Sequence, residues 1–193
     1  VQKFFIDNLQ IPKEKFRFKE LNEEERAFYN KLHWDIELNL SSIGWKEIGG
    51  VHYRTDHDLA GHAKVSGKSH EVFVDEKKFL PHVLELSFGI DRIIFSLLDL
   101  NYMEEKERKF LKLPENVAPF AAGVFPLVNK DGLDELASAI SASLKKQFSI
   151  FYDDSGSIGR RYARADEIGI PFCITVDSQT LKDNTVTVRS RDS

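Results

Sequence analysis

The residues best suited to chemistry lie in the stretch VLELSFGIDRII, which runs from Val83 to Ile94. Side chains alternate between the two faces of a strand, so Glu85 and Ser87 are expected to point to the same side. A carboxylate beside a hydroxyl suits an ammonium group. Gly89 lets the chain turn into a helix, and Arg92 in the first helical turn suits a phosphate. Together these residues predict a site for an amino acid and a nucleotide.

A second predicted strand, WKEIGGVHY, carries another acidic residue, Glu47. By the same alternation, one face of this strand would carry Trp45, Glu47, Gly49 and Val51. The Glu47 carboxylate could hold a magnesium ion or a ribose hydroxyl. A plainer interpretation stays open for both strands. In it, Glu85 and Arg92 form a surface salt bridge, and Glu47 is an exposed strand residue.

Composition limits the classes of protein and of partner. The chain has 193 residues, 41% hydrophobic and 11% aromatic, which suffices for one substantial domain or two small ones. A net charge of -4 gives no general basic field, so a nucleic-acid partner would need a local basic patch. The single cysteine, Cys173, lies in the apolar run IPFCITV and is predicted to be buried, in a reducing compartment. Without a membrane-length apolar run or a signal peptide in VQKFFIDNLQ, we expect a soluble, cytoplasmic protein.

The patterning changes near residue 115, where we place a domain boundary. Before it, the sequence predicts a helix that begins after Asn22 and strands in IELNL, WKEIGGVHY, EVFVD and HVLELSF. A further helix is predicted from about Gly89 to Phe110. Its core face is predicted to consist of Ile90, Ile93, Ile94, Leu97 and Leu98. Antiparallel strands with a late helix indicate an α+β domain over residues 1–114.

After the boundary, strand and helix patterns alternate. The strands are predicted in AAGVFPLV, FSIFYDD, IPFCITVD and TVTVRSR, and the helices in DGLDELASAISASLKKQF and SGSIGRRYARADEIG. This alternation is typical of a small α/β domain with a mostly parallel sheet, here over residues 115–193.

The longer motifs resemble a known family. GWKEIGGVHYRTDHDLAGH followed by PHVLELSFGIDRII closely resembles the class II glycyl-tRNA synthetases of the archaeal and eukaryotic kind and their dimeric bacterial relatives. The second stretch looks like class II motif 3. APFAAGVFPLVNKDG, DDSGSIGRRYARADEIGIPFCITVD and TVTVRSRDS look like the anticodon-binding domain that the glycyl, threonyl, prolyl and histidyl enzymes share. The resemblance implies part of a class II synthetase catalytic core, an antiparallel sheet with helices, followed by a small α/β anticodon-binding domain.

The resemblance also implies roles for residues. Glu85 and Ser87 would bind glycine, and Arg92 would bind the γ-phosphate of ATP. The remaining ATP-binding residues would be Glu47, Ile48, Gly89, Ile90 and Asp91. The implied reaction is ATP-dependent activation of glycine to glycyl-adenylate, followed by transfer to tRNA(Gly), with Mg²⁺ as cofactor and no catalytic side chain. The complete enzyme would be a cytoplasmic homodimer without a membrane partner.

A local basic patch lies in SGSIGRRYARADE of the second domain. Arg160, Arg161 and Arg164 would contact the tRNA anticodon there, and Tyr162 could stack on a base. In the alternative interpretation, these arginines pair within the helix with its acidic residues Asp166 and Glu167.

Two departures bear on this interpretation. Leu86 stands where the family usually has proline, a change expected on the core-facing side of its strand. Motifs 1 and 2 are not found in the chain, so we expect it to be the C-terminal portion of a synthetase. A binding-only paralogue, like the accessory subunit of organellar DNA polymerase, is the alternative.

Four histidines, His52, His57, His62 and His70, are clustered in the sequence. They lack the cysteine or carboxylate spacing of a zinc site, and no metal site is predicted from them.

Overall fold

The computed structural model describes residues 1–106 and 108–192. The chain forms two compact units: one is Ile11–Ser96, and the other combines Val1–Gln10 with Leu97–Ser193. These units follow packing rather than function, and the predicted boundary near residue 115 stays a prediction. Among the described residues, no helix has both the length and the apolar character needed to cross a bilayer.

The unit Ile11–Ser96 is built on a four-stranded antiparallel sheet with the strand order β1-β2-β3-β6. Its strands are β1 (Phe16–Glu20), β2 (Leu32–Leu40), β3 (Gly44–Thr55), β4 (Val72–Val74), β5 (Lys77–Phe79) and β6 (Val83–Phe88). β4 and β5 form a separate hairpin. The helix α1 (His57–Ser66) follows β3, and α2 (Ile90–Asn101) follows β6 and continues into the other unit. Gly44 allows the tight turn from β2 to β3 because its φ is +71°.

A β-bulge interrupts the pairing of β2 with β3. Ile36 pairs with Gly49, but the next residue, Glu37, pairs with Glu47, so Ile48 is the extra residue. Directly opposed residues share a face of the sheet, and Gly50 lies opposite Asp35. The bulge therefore moves Glu47 and Trp45 to the face that carries Gly50 and His52. The prediction that Trp45 and Glu47 share a face with Gly49 and Val51 is wrong, because alternation fails at the bulge.

The core of this unit lies beneath β2 and the middle of β3. Ile36, Leu38 and Ile48 are at most 2% exposed. By contrast, the predicted core face of α2 is largely exposed, with Ile90 at 72% and Ile94 at 51%. Leu86 is also 51% exposed, so the expectation that it faces the core is wrong. β6 is the outermost strand of the sheet that the described residues form, which leaves this side of it at the surface.

The second unit contains the predicted α/β domain. Its regular elements after α2 are β7 (Tyr102–Glu104), β8 (Lys109–Leu111), β9 (Ala122–Pro126), α3 (Leu133–Leu144), β10 (Ile150–Tyr152), α4 (Ile158–Ile168), β11 (Phe172–Val176), α5 (Thr180–Asp183) and β12 (Thr187–Ser190). The sheet has the order β10-β9-β11-β12, in which only β12 runs antiparallel. The predicted fold class, an α+β sheet unit followed by a mostly parallel α/β sheet, is confirmed.

Two apolar clusters fill this second unit, one for each face of its sheet. Val124 packs with the α3 residues Leu133 and Ala137, while its neighbour Phe125 packs with Ala165 of α4. Adjacent strand residues point to opposite faces, so helices cover both sides. Cys173 belongs to the second cluster and is fully buried, as predicted. Burial raises the pKa of this thiol to about 11.

Two predicted helices differ from the structure. α2 ends at Asn101 rather than near Phe110, and the residues that follow form the β7–β8 hairpin. No helix begins after Asn22. Instead, the Asn22 Oδ1 atom accepts hydrogen bonds from the backbone N–H groups of Glu24 and Glu25, and the chain turns. Asparagine caps helices and turns by the same bond, so the start signal did not distinguish them.

The close approach of β3 to β6 gives a stability test. A Cβ atom at Gly49 would overlap the Ser87 carbonyl oxygen and lie 3.3 Å from the Phe88 Cα atom, and both are backbone atoms that cannot move aside cheaply. We expect Gly49→Ala to lower the free energy of unfolding by about 2 kcal/mol in urea denaturation. Gly61→Ala, at a helical position with open space around the new methyl group, should be neutral or slightly stabilising. Equal effects of the two variants would contradict the packing described.

Candidate ligand-binding sites

The predicted amino-acid pair lies on one face of β6, opposite two residues of β3. Glu85 pairs with His52 and Ser87 pairs with Gly50. Directly opposed residues share a face, so Glu85, Ser87, Gly50 and His52 line one surface. The Glu85 side chain is 35% exposed and can be reached by a small ligand.

Arg54 fixes the Glu85 carboxylate, although it is not among the site residues predicted from the sequence. Its Nη1 atom donates to Glu85 Oε2. Its Nε and Nη2 atoms donate to the two carboxylate oxygens of Asp58, at 2.7 and 2.6 Å. The guanidinium carbon lies 4.4 Å from the centre of the Tyr29 ring. Asp58 first, and then Glu85, raise the pKa of Arg54, so the guanidinium is a permanent cation here.

Strand alternation could have identified Arg54. Alternation from Gly50 and His52 puts Arg54 on the face of Glu85. The β3–β6 register shifts between Tyr53 and Thr55, so Arg54 lies in this irregularity and has no opposed residue on β6. The contact with Asp58 needs more, because it depends on how α1 leaves the end of β3. Thr55 adopts a φ of 55° at that junction, a conformation that sequence alone does not indicate for a β-branched residue.

Ser87 belongs to a network of polar side chains centred on His52. The His52 Nε2 atom lies 3.1 Å from Ser87 Oγ, and His52 Nδ1 lies 3.2 Å from the amide Nδ2 of the buried Asn30. The rings of His52 and His33 are 4.1 Å apart, and His33 contacts Asp35 at 3.1 Å. Burial, and then the neighbouring His33, lower the pKa of His52. Burial, and then the charge of Glu47, raise the pKa of Asp35.

The predicted nucleotide residues surround a cavity of about 480 Å³ at the start of α2. It is lined by Leu40, Ile43, Lys46, Glu47, Ile48, Asp91, Arg92 and Phe95. The Gly89 N–H donates to the Ile48 carbonyl at 3.0 Å, which ties the turn before α2 to the bulge of β3. Ile90, also predicted to bind the nucleotide, is 72% exposed beside this turn and does not line the cavity.

Arg92 pairs with Glu47 rather than with Glu85. Its Nη1 atom lies 3.2 Å from Glu47 Oε1 and 3.1 Å from the Glu47 carbonyl. Both side chains are more than half exposed. The salt bridge between Glu85 and Arg92, which the sequence left open, is therefore wrong, because Glu85 is bound by Arg54. An exposed ion pair is weak, so an anionic ligand can compete for Arg92.

Within the described ranges, no three histidine, cysteine or acidic residues are grouped as a metal centre. The His62 and His70 rings are 6.2 Å apart, and His57 packs against Phe28 and Tyr29. Glu47 and Asp91 are the two carboxylates that line the cavity at the start of α2. One or two carboxylates fit a Mg²⁺ ion that takes its other ligands from water and substrate phosphates.

The four residues predicted to contact an anticodon occupy different environments. Arg160 is exposed and has no hydrogen-bond or ion-pair partner in the described part of the chain. Arg164 is 38% exposed and its Nε atom donates to Asp153 at 2.7 Å. Burial alone would raise the pKa of Asp153, but hydrogen bonds from Ser155 and Arg164 outweigh burial and lower it. Tyr162 is partly buried, and its hydroxyl lies 2.5 Å from Thr175 Oγ1.

Arg161 does not belong to a contact surface. It is 2% exposed, and its Nη2 atom donates to the carbonyls of Asp154 and Gly156 at 2.6 and 2.8 Å. Its Nη1 atom donates to the carbonyl of Pro126. The prediction that Arg161 contacts tRNA needs correction, because these carbonyls fill its donors and hold the loop before α4 against β9.

The acidic residues of α4 do not neutralise these arginines as the alternative interpretation required. Asp166 is 3% exposed and binds Arg189 at 2.9 Å and Arg108 at 2.9 Å. Arg164 binds Asp153 from the loop instead. Exposed positive charge therefore remains at the start of α4.

The contrast between Arg161 and its neighbour is testable. Arg161→Met should lower the free energy of unfolding by about 3 kcal/mol, because it leaves several carbonyl groups without donors. Arg160→Met, one residue earlier and exposed, should change it by at most about 0.5 kcal/mol. Urea denaturation of both variants measures the difference. A small effect at Arg161 would mean that its carbonyl contacts do not hold the loop.

Comparison with known proteins adds independent findings. Residues 121–193 match a family model described as an anticodon binding domain. The glycine–tRNA ligase of Borreliella burgdorferi is 42% identical over 200 positions, which cover 98% of this chain and 44% of that protein. The Treponema denticola enzyme of the same name is 40% identical, with the same coverage, and that of Methanococcus vannielii is 35% identical over the whole chain and 48% of that protein. The predicted resemblance is confirmed, and the chain spans less than half the length of these relatives.

Proposed function

We propose that this chain, which matches glycine–tRNA ligases along nearly its whole length, is a C-terminal portion of such an enzyme. It supplies part of the glycine and ATP site together with the anticodon-binding domain. One observation carries the proposal beyond resemblance. Because β3 pairs with β6, Glu85 and Ser87 lie next to the cavity that Arg92 lines, in the direction of the strands. An amino acid and a triphosphate held there would lie end to end.

Glycine is the amino acid that this arrangement suits. The Glu85 carboxylate, held by Arg54, accepts hydrogen bonds from the ammonium group of the substrate. Every competing amino acid is larger than glycine, so steric exclusion of its side chain suffices to reject it. Rejection of a smaller rival by one methylene is limited to about 1 to 3 kcal/mol. The pocket can therefore use its polar residues for binding rather than for discrimination.

ATP would bind in the cavity at the start of α2. Its γ-phosphate replaces Glu47 as the partner of Arg92, a charge-assisted contact worth about 1.5 to 3 kcal/mol, or about tenfold or more in affinity. The freed Glu47 carboxylate would then hold Mg²⁺ or a ribose hydroxyl, with Ile48 beside it. Mg²⁺ supplies neutralisation of phosphate charge. The side chains of this chain position the substrates, and no side-chain nucleophile is required.

The second half of the chain would bind the anticodon of tRNA(Gly). Arg160 offers an exposed cation without a partner in the described ranges, Arg164 a partly exposed one, and Tyr162 an aromatic ring. Arg161 shapes the loop that presents them. As the resemblance implies, the complete enzyme would work as a homodimer in the cytoplasm.

The proposal is tested by glycine-dependent exchange of pyrophosphate into ATP. We expect the 193-residue chain alone to be inactive, and to become active with a polypeptide that carries motifs 1 and 2 from the Borreliella burgdorferi relative. Glu85→Ala in the complemented enzyme should abolish glycine-dependent exchange, because the ammonium group of glycine loses its acceptor.

Glu71→Ala is the matched control, since Glu71 forms an exposed ion pair with Lys78 on the β4–β5 side of the unit. Exchange by the chain alone would contradict the proposal that another segment completes the site. Inactivity with a folded complementing polypeptide would favour the binding-only paralogue.

Anticodon binding is tested separately with a tRNA(Gly) anticodon stem-loop. Arg160→Ala should weaken binding several-fold and reduce the slope of log K against log salt by about 1, because one phosphate contact is lost. Lys182→Ala, an exposed cation of the same domain in α5, is the control. Equal losses in both variants would indicate general electrostatic attraction rather than a site at the start of α4.

A further inference from the structure

The side chain that supports Ser87 is His52, and the proposed function gives it no role. The imidazole bridges two elements. Its Nδ1 atom lies 3.2 Å from Asn30 Nδ2, and its Nε2 atom lies 3.1 Å from Ser87 Oγ. Asn30 is 5% exposed and is held by a backbone bond to Ala27 at 2.9 Å. The ring has room because residue 50 is glycine: a Cβ atom there would overlap His52 Nε2.

The orientation of the Asn30 amide, with Nδ2 toward the ring, sets the direction of each hydrogen bond. An amide Nδ2 can only donate, so the Nδ1 atom of a neutral His52 must accept. The ring proton is then on Nε2, which donates to Ser87 Oγ. Because the hydroxyl oxygen already accepts this bond, its own proton is left to donate to a third group. Ser87 is thus presented as a donor toward the open face of the sheet.

We propose that His52 is a positioning residue that makes Ser87 a hydrogen-bond donor to a carboxylate or carbonyl oxygen of the amino-acid substrate. Glu85, which as a carboxylate only accepts, takes the ammonium group. The ammonium end of glycine is then bound by an acceptor, Glu85, and its carboxylate end by a donor, Ser87, on the same strand. The identity of the ligand rests on the proposed function, but the direction of the bonds around His52 does not.

The charged surroundings of His52 are consistent with a neutral ring. His33 and Asp35 face it from β2, Arg54 lies on its own strand β3, and Glu85 faces it from β6. Burial and His33 lower its pKa below the ordinary value, so the ring is neutral near pH 7. Protonation at lower pH would put a second N–H against the Asn30 amide. As the pH falls through the His52 pKa, the bond from the Asn30 amide to Nδ1 is therefore lost, while Nε2 still carries the proton that it donates to Ser87.

The bond directions can be measured without activity. In ¹⁵N-labelled chain at pH 7.5, long-range ¹H–¹⁵N correlation spectra distinguish the two neutral tautomers of histidine, and His52→Gln identifies the signals among the six histidines. We expect the Nε2–H tautomer. At a pH high enough to keep the ring neutral, Asn30→Asp should convert His52 to the Nδ1–H tautomer, because a carboxylate accepts where the amide donated. Asn22→Asp, in an exposed turn, makes the same change of charge and should leave the tautomer unaltered.

In the complemented enzyme, at a pH where the spectra show His52 of Asn30→Asp in the neutral Nδ1–H form, Asn30→Asp and Ser87→Ala should each raise the KM for glycine about tenfold, with the KM for ATP unchanged. The double variant should be no worse than Ser87→Ala alone, since both remove one donor. A purely structural role for Asn30 would instead raise both KM values and add to the effect at Ser87.

Two results would overturn the inference. An Nδ1–H tautomer in the unaltered chain would mean that the Asn30 amide is turned and that Ser87 donates its proton to His52 Nε2, so that it can only accept from a ligand. A normal KM for glycine in Asn30→Asp, with His52 in the neutral Nδ1–H form, would also overturn it. If Asn30→Asp fails to fold, the tautomer of the unaltered chain still decides. If the complemented enzyme shows no exchange at all, the proposed function fails, while the spectra test His52 independently.

Discussion

The candidate site depends on the close pairing of β3 with β6. Gly49 and Gly50 face the end of β6, and neither position has room for a Cβ atom. At Gly49 the obstacle is the backbone of β6, and at Gly50 it is the His52 ring. Two adjacent glycines normally weaken a strand, since they lose more backbone entropy on folding than other residues. Here they allow the ladder to form at this distance, with Glu85, Ser87 and the His52 ring on one face.

Hydrophobic and polar periodicity predicted the fold class well, because it reports which residues share a face. Periodicity does not indicate whether another element of the protein covers the apolar face of a strand or helix. Leu86 of β6 and Ile94 of α2 follow the periodicity of buried residues, yet each is 51% exposed. The period also could not place the end of α2 at Asn101, since apolar residues continue into the β7–β8 hairpin as Phe110 and Leu111. In the α/β part, by contrast, Val124 and Phe125 each have a helix to pack against, and the prediction was confirmed.

The sequence located Glu85, Ser87 and Arg92, but it could not determine their partners. Arg92 was paired with Glu85 in the plainer interpretation because the two are close in sequence. The bulge at Ile48 instead brings Glu47 to Arg92, and Arg54 reaches Glu85 across the β3–β6 ladder. A one-residue bulge leaves no clear mark in sequence, yet it changes the face of every residue before it. Arg161 was misplaced for a related reason, since charge does not reveal burial when the acceptors are backbone carbonyls.

The two arginines of the candidate site are held very differently, and the difference suits two kinds of ligand. Arg54 makes three charge-assisted hydrogen bonds to Asp58 and Glu85 and lies over an aromatic ring, so its position is fixed before any ligand arrives. Arg92 has one carboxylate partner, and both side chains are more than half exposed. Exposed pairs contribute little to stability, so a phosphate can replace that partner at small cost. The rigid end of the face therefore suits a small ligand that must be oriented, and the open end suits a larger anion that must enter and leave.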